Sequence, residues 1–193
     1  MNRVTENHAK TELVSLIKSD ARLSYQLISH INTLNKNDIS INSLNEAIQL
    51  LNHDDLYRWL TLLLQTSVDP SPHTLTLLKR GLSRAFFLDI MANKSLLQAD
   101  PQTMYLIGLL SVMDRLNGNS FAKIIPSLKL NPEIKQAILE HKGIYGLLLS
   151  LALAAEAGEQ ARIDDYAARC LVNPVEVSLA MINALVMAES TNL

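Results

Sequence analysis

The chain has 193 residues and a net charge of −2; 48% of its residues are hydrophobic and only 19% are charged. Leucine supplies 36 positions, whereas there are 6 glycines and 5% aromatic residues. This composition excludes intrinsic disorder and disfavours a β-sandwich, which needs more turn glycines and more β-branched and aromatic residues. The small net charge creates no field that would attract nucleic acid or an anionic membrane. We therefore expect a helical protein with a large core that binds neither nucleic acid nor membrane.

The single cysteine, Cys170, cannot form an internal disulfide, and its apolar neighbours predict a buried thiol rather than a reactive one. The N-terminal residues are polar and lack the apolar core of a signal peptide. The longest uncharged stretch, residues 143–155, is shorter than the roughly 18–20 residues that span a bilayer. It predicts a fully buried core helix instead. We therefore expect a cytoplasmic protein.

Side chains that cap helices mark several helix starts in the first third of the chain. Asp20 precedes a run of apolar residues at helical spacing, and Ser43 with Glu46 forms a capping-box pattern. Asp54 or Asp55 can cap a further helix. The apolar residues that follow Asp20 are Leu23, Leu27, Ile28, Ile31 and Leu34. A helix is predicted after each of these capping positions.

Proline at the first helical position marks four more helix starts, because the N–H that proline lacks has no partner in a first turn. The four pairs are Ser71-Pro72, Asp100-Pro101, Asn131-Pro132 and Asn173-Pro174. Three glycines, Gly118, Gly143 and Gly158, indicate helix ends. These signals predict an all-α protein with nine or ten helices and no strand.

The chain shows one weak candidate for a domain boundary, the polar stretch 66–71. This stretch would divide an N-terminal half, residues 1–68, from a C-terminal half, residues 71–193. It is too short to let two halves move independently. We therefore predict a single domain over residues 1–193, in which both halves share one core.

The doublet His53-Asp54 is of the kind that binds a divalent ion in HD-type phosphohydrolases, where the ion activates water. The doublet lies in a polar break between two predicted helices, where an aspartate serves as a helix cap. A metal site would also need a second pair of histidines at helical spacing, which the sequence does not contain. We favour the capping role for Asp54.

The densest basic group consists of Lys79, Arg80 and Arg84. At this spacing the three side chains lie on neighbouring positions of one predicted helix. A solvated helix face is the favoured interpretation. The alternative is a small positive patch that binds nucleic acid, which the overall negative charge disfavours.

From Leu13 onward the chain resembles the HDOD family, whose members are non-enzymatic relatives of the HD phosphohydrolases in bacterial signalling proteins. Residues 16–27 are similar to the opening pattern "LI-x-x-D-P-x-L-x-x-x-L", with Ala21 in place of the proline. Residues 31–33 resemble its "V-N-S" element. Residues 41–51 resemble "I-x-S-I-x-x-A-I-x-x-L-G", with Asn52 where the glycine is expected.

One HDOD subgroup, found after EAL domains, provides a further likeness. Residues 56–60 are similar to its "L-R-R-W-L" motif, and residues 108–114 and 143–148 resemble its C-terminal half. EAL domains are cyclic di-GMP phosphodiesterases or their inactive relatives. The resemblance implies a compact orthogonal bundle of HD type. It also implies a non-catalytic regulatory or scaffold module in cyclic di-GMP signalling, with an EAL-type domain as fused or separate partner.

The resemblance also locates the position of the metal pair in catalytic relatives. In HD hydrolases the His-Asp pair follows a "G-L-L" on a buried helix, and here residues 108–110 are followed by Ser111 and Val112. Both ligands are thus replaced by groups that bind metal poorly, so we expect no metal and no other cofactor. The alternative is a degenerate HD hydrolase that uses His53, Asp54 and His141.

The only tryptophan, Trp59, and its neighbour Arg58 are the candidate partner-binding residues. Aromatic residues and arginine are enriched at protein interfaces. Core packing is the other interpretation of Trp59, because leucines surround it in the sequence. A homodimer is the second kind of assembly that we consider.

Overall fold

The computed structural model describes residues 14–15, 17–34, 40–51, 72–112 and 130–190. These residues form eight helices, which we number in chain order. They are α1 (Ala21–Leu34), α2 (Leu44–Leu50), α3 (Pro72–Lys94), α4 (Pro101–Leu110), α5 (Pro132–Glu140), α6 (Gly143–Ala157), α7 (Gln160–Arg169) and α8 (Pro174–Glu189).

The described ranges contain no strand, although Ile41 and Leu130 form an isolated parallel bridge. The prediction of an all-α protein is therefore confirmed. The number of helices differs from the prediction, since eight occur in the described ranges against nine or ten expected for the whole chain. The HD-like arrangement of the helices stays a prediction.

The predicted caps begin the helices of the N-terminal part. Asp20 Oδ1 accepts a hydrogen bond from the backbone N–H of Leu23, over 3.0 Å. Ser43 Oγ accepts one from the N–H of Glu46, over 3.1 Å. The Glu46 carboxylate in turn accepts a bond from the N–H of Asn42, over 2.8 Å. The bonds of Asp20 and Ser43 satisfy backbone donors that the first helical turn leaves unpaired, and the bond from Asn42 holds the residue before the cap, which is why these helices start where they do.

The predicted proline starts are confirmed for α4, α5 and α8. Asp100 Oδ2 accepts from the N–H of Thr103, over 2.8 Å. The side chains of Asn131 and Asn173 cap α5 and α8 through bonds of 3.0 Å and 2.9 Å. Pro72 begins α3 as expected, while Ser71 lies outside the described residues.

The prediction that Gly143 ends a helix is wrong. His141 takes the left-handed conformation after α5, with φ of 53°, and Gly143 is the first residue of α6. The reason is the close approach of the first turn of α6 to the end of α5. A Cβ on Gly146 would lie 2.2 Å from the carbonyl carbon of His141, so only glycine lets the first turn of α6 approach this connection. Gly158 does end α6, with φ of 66°, and Gly118 lies outside the described residues.

Helix α4 lies at the centre of the described fold. Its residues Thr103–Leu110 are all buried, and it contacts α3 most extensively and also α1, α5 and α6. The buried apolar residues form one cluster that reaches from Val14 to Ala188. The nearly continuous apolar sequence of α4 is explained by this burial, because a helix that is buried on all sides is apolar on all sides. The division into domains stays a prediction.

The sequence predicts a fully buried helix over residues 143–155, and this prediction is wrong for the first turn of α6. Its central residues are buried, but Gly143 and Ile144 in the first turn are exposed. Among the described residues, the stretch Pro132–Ala157 passes a length and composition test for a membrane span, with a mean hydropathy of 1.3 and half of its apolar window buried. A second, bent candidate combines α7 and α8. Core helices pass the same test, so the cellular location stays a prediction.

Candidate functional site

Ser111 and Val112, the positions of the expected HD pair, follow directly after α4. Ser111 ends the helix, with its N–H donating to the carbonyl of Ile107 over 2.9 Å. Its hydroxyl donates to the carbonyl of Gly108 over 2.6 Å. Both side chains are buried, Ser111 at 9% and Val112 at 2% exposure. The position is thus an interior one.

A buried arginine contacts Ser111 from α3. Arg84 is only 5% exposed, and its Nη1 donates to Ser111 Oγ over 2.6 Å and to the Ser111 carbonyl over 3.2 Å. Its Nε and Nη2 donate to the two carboxylate oxygens of Glu156, over 2.5 Å and 2.7 Å. The guanidinium therefore holds two partners at once in a planar, two-point geometry that suits arginine alone among the basic residues.

Arg80 completes this arrangement, which we call the Arg84 cluster: Arg80, Arg84, Ser111 and Glu156. Arg80 lies one helical turn before Arg84, is 46% exposed, and donates from Nε to Glu156 Oε2 over 3.1 Å. The Glu156 side chain is 13% exposed. One carboxylate near the end of α6 thus pairs with two guanidinium groups on α3, and each of the three nitrogens of the buried one donates a hydrogen bond.

The prediction of a solvated face for Lys79, Arg80 and Arg84 is wrong for Arg84, which is buried. Sequence reasoning also missed Glu156. A signal was present, since Glu156 is the only charged residue in the apolar segment 143–157, and a charge in such a segment needs a partner. Lys79 pairs with Glu189 over 2.5 Å. Each of the three cations thus has a carboxylate partner, and the absence of nucleic-acid binding stays a prediction.

A close helix crossing places Ser111 beside Arg84. A Cβ on Gly108 would lie 2.5 Å from the Cα of Ala85 and 2.9 Å from the carbonyl carbon of Arg84. Gly108 therefore lets the backbone of α4 touch that of α3 at the position of Arg84. Ser111 follows three residues later, so it reaches the guanidinium. The glycine of the "G-L-L" segment has this structural role here.

The Arg84 cluster is chemically a poor metal site. Arginine donates hydrogen bonds but offers no lone pair to a metal ion, and its charge repels a second cation nearby. Among the residues that the structure describes, no three histidine, cysteine or acidic side chains are grouped as metal ligands. His53 and Asp54 lie outside the described residues.

His141 lies in the connection between α5 and α6 and is exposed. Partial burial, and secondarily the positive charge of Arg162, lower the pKa of its imidazole below the ordinary value of 6.5. His53 and Asp54 lie outside the described residues, so their joint role with His141 stays a prediction. Arg58 and Trp59 also lie outside the described residues, and their role in partner binding stays a prediction.

Cys170 ends α7 and is fully buried. Burial raises the pKa of its thiol to about 12, and the carbonyl of the same residue accepts a 2.8 Å hydrogen bond from Ser95 Oγ. A thiol that stays protonated and inaccessible is not a nucleophile. The prediction of a buried, structural cysteine is confirmed.

Two curated proteins are similar to this chain over most of its length. Over 152 residues, 78% of this chain, it is 29% identical to the cyclic di-GMP phosphodiesterase CdgJ of Vibrio cholerae. Over 144 residues, 73% of this chain, it is 29% identical to the uncharacterized protein YuxH of Bacillus subtilis. This chain is thus related to a named cyclic di-GMP phosphodiesterase. No family model matches it, and no solved structure matches it significantly.

The predicted relation to cyclic di-GMP signalling is therefore confirmed at the level of a distant relative. The matched region is 35% of each relative, so this chain spans about a third of their length. Neither name mentions an HDOD domain, and membership of that family stays a prediction.

Proposed function

We propose that this chain is a non-catalytic regulatory or scaffold module of cyclic di-GMP signalling. Its partner would be an EAL-type domain, either on the same polypeptide or on a separate one. The relation to a cyclic di-GMP phosphodiesterase supports the signalling context. The HDOD-like motifs that begin at Leu13 and end in the segment 143–148 support the module type.

The observation that carries the non-catalytic part is the contact of Arg84 with Ser111. In the HD-type pattern, the position after "G-L-L" belongs to a metal ligand, and here its side chain is 2.6 Å from a buried guanidinium. Each unit of positive charge placed about 4 Å from this guanidinium costs about 4 kcal/mol at an effective dielectric constant of about 20. A divalent ion would cost about twice as much there. Ser111 supplies no negative charge to offset this repulsion.

The Glu156 carboxylate does not favour a metal either. Both of its oxygens accept hydrogen bonds from arginine, from Arg84 at Oε1 and Oε2 and from Arg80 at Oε2. A metal ion would have to displace Arg84, which would leave a buried guanidinium without its carboxylate. This arrangement stabilises the junction of α3, α4 and α6 and supports a binding role rather than hydrolysis.

The first experiment measures metal content and activity of the purified 193-residue chain. We expect less than stoichiometric iron or manganese by elemental analysis, and no hydrolysis of cyclic di-GMP when either metal is added. Stoichiometric bound iron or manganese together with turnover would refute the proposal. It would favour the degenerate hydrolase that uses His53, Asp54 and His141.

The second experiment tests regulation directly. The chain is mixed with an EAL-type phosphodiesterase that lacks such a module, and the rate of cyclic di-GMP hydrolysis is measured. We expect the rate to change with the concentration of the chain and the effect to weaken in the variant Arg58→Ala with Trp59→Ala. Leu96→Ala is the matched control, because Leu96 is a strongly exposed apolar residue in a different region. An unchanged rate with the unaltered chain would count against an EAL-type partner.

A further inference from the structure

The outer face of α8 exposes an apolar stripe. Val175, Leu179, Ile182 and Val186 are 64%, 55%, 58% and 64% exposed, and we call these four residues the α8 stripe. The opposite face of the helix is buried in the core through Val177, Ala180, Ala184 and Ala188. A helix that is apolar on both faces is normally covered on both. The α8 stripe therefore presents a surface that a partner would cover.

The surroundings of the α8 stripe carry no charge along most of its length. Between Val177 and Ala188 the helix contains no charged residue. The two acidic residues at its ends are paired with α3, Glu176 with Lys94 over 2.9 Å and Glu189 with Lys79 over 2.5 Å. Since the N-terminal end of α8 pairs with the C-terminal end of α3, the two helices run antiparallel. The buried face of α8 holds the helix against the protein, and the stripe faces outward.

The spacing of the α8 stripe is symmetric. Its residues are separated by four, three and four positions, which is the seam spacing of a coiled coil. The same series is obtained when it is read backwards. In an antiparallel pair of identical helices, Val175 would face the partner's Val186, and Leu179 would face the partner's Ile182. The stripe is therefore complementary to itself about a two-fold axis, as an isologous interface requires.

The exposed area is also of the size that a dimer needs. Together with the flanking Leu185, which is 51% exposed, the stripe residues expose on the order of 500 Å². A standard interface buries about 800 Å² per partner, including a polar rim. The largest apolar patch on a typical monomer is about 300–600 Å². The α8 surface lies at the upper end of that range and supplies most of the apolar centre of a standard interface.

We propose that the α8 stripe binds the α8 stripe of a second copy of this chain, in an antiparallel two-fold pair. The pair would make the chain a homodimer through a face opposite the core. This interface is independent of the Arg84 cluster and of any EAL-type partner. A dimer formed here would hold two signalling modules at a fixed distance and orientation.

The test is the mass of the purified chain in solution, measured by light scattering or sedimentation. A dimer with a micromolar dissociation constant is mainly associated at a chain concentration of about 100 µM, which sets the concentration of the test. We expect twice the chain mass of 21.4 kDa. A monomer at that concentration would overturn the proposal and would leave the stripe to a different occupant.

Charge substitutions test the antiparallel register. Leu179→Glu and Ile182→Lys each place an unpaired charge against an apolar partner and should weaken dimerisation by at least about 30-fold. Combined in one chain, they should restore the dimer, because each introduced carboxylate then faces an introduced ammonium group across the two-fold axis. A parallel pair would instead place like charges opposite each other. A double variant that remains monomeric would overturn the antiparallel register.

Leu96→Asp is the matched control for these variants. Leu96 is 74% exposed, lies in the connection between α3 and α4, and is not part of the α8 stripe. Its substitution should leave the dissociation constant unchanged. Circular dichroism of all variants shows whether the fold is intact. If Leu96→Asp dissociates the dimer as strongly as Leu179→Glu, the association does not run through the stripe and the proposal fails.

Discussion

Arg84 on α3 and Glu156 near the end of α6 form a buried ion pair with two parallel hydrogen bonds, Nε to Oε1 over 2.5 Å and Nη2 to Oε2 over 2.7 Å. Arg84 is 5% exposed and the Glu156 side chain 13%. The pair joins α3 to the end of α6 at a point where neither charge is well exposed to water. Its contribution to stability is therefore measurable by mutation.

Removing the carboxylate should strongly destabilise the protein. Glu156→Ala leaves the Arg84 guanidinium buried without its counter-ion, and breaking a buried pair in this way costs about 3–5 kcal/mol. Urea denaturation followed by circular dichroism measures the free energy of unfolding. The control is Glu189→Ala, which breaks the exposed pair with Lys79 and should cost at most about 1 kcal/mol.

The combined variant Arg84→Met with Glu156→Leu separates the charge effect from the loss of packing. Replacing both partners by apolar residues of similar size removes the unpaired charge, so the double variant should be more stable than Glu156→Ala. The Arg84 cluster would not have the role described here if Glu156→Ala were no more destabilising than Glu189→Ala.

Gly108→Ala should destabilise the crossing of α3 and α4. The added Cβ would lie 2.5 Å from the Cα and 2.6 Å from the N of Ala85, and backbone atoms cannot move away without separating the helices. We expect a loss of about 3 kcal/mol or more in the free energy of unfolding. Gly81→Ala is the matched comparison, because its Cβ would meet a side-chain methyl of Val112 at 2.9 Å.

The Gly81 variant should lose no more than about 1–2 kcal/mol, since the gain in helix propensity offsets part of the strain. Both variants are measured by the same urea titration. Equal losses for the two variants would show that the backbone contact at Gly108 has no special role.

Cys170 should react slowly in the folded protein. Its thiol is buried and has a pKa of about 12, whereas the thiolate is the reactive form. Titration with the chromogenic disulfide DTNB at pH 8 should show one thiol per chain. The reaction in native buffer should be at least about 100-fold slower than in denaturing urea. Fast reaction of the native protein, with the fold intact, would contradict the burial of this thiol.

His141 should make stability depend on pH in a predictable direction. The pKa of the folded imidazole is below the ordinary value of 6.5, so the unfolded chain binds a proton more readily. The free energy of unfolding is therefore unaffected by this group above about pH 6.5. It falls as the pH decreases from the pKa of the unfolded imidazole to the lower pKa of the folded one. Urea titrations at pH 7.5 and at lower pH values measure the change.

The variant His141→Asn isolates this effect from other titrating groups. Asparagine also adopts the left-handed conformation that position 141 requires, with φ of 53°, but it carries no titrating proton. The variant should show a smaller loss of stability on acidification than the unaltered chain. The same or a larger loss would argue against the lowered pKa of His141.

Helix starts could be predicted from the sequence because capping is local. Asp20 and Asn131 bond to backbone N–H groups only two or three residues away, so the pattern and the contact lie in one short segment. The end of α5 was predicted less accurately. Gly143 does take a positive φ of 70°, as sequence rules favour, but α5 already ends two residues earlier, at the left-handed His141 that Gly146 approaches closely.

The environment of Arg84 could not be predicted in the same way. Its partner Glu156 is 72 positions further along the chain, and the burial of both depends on how α3, α4 and α6 pack. The position of Ser111 came from a family resemblance, and its contact with Arg84 came only from the structure. Sequence patterns likewise could not predict which side of α8 is exposed, because the helix is apolar on both faces.

The bridge between Ile41 and Leu130 has a consequence for the order of folding. It joins two segments that are far apart in the chain, and closing a long loop carries an entropic cost before the contact can form. The pairs α3 with α4 and α5 with α6 are close in sequence and need no such closure. We therefore expect these pairs of neighbouring helices to form early and the segment around Ile41 to dock late, in the slower part of the folding reaction.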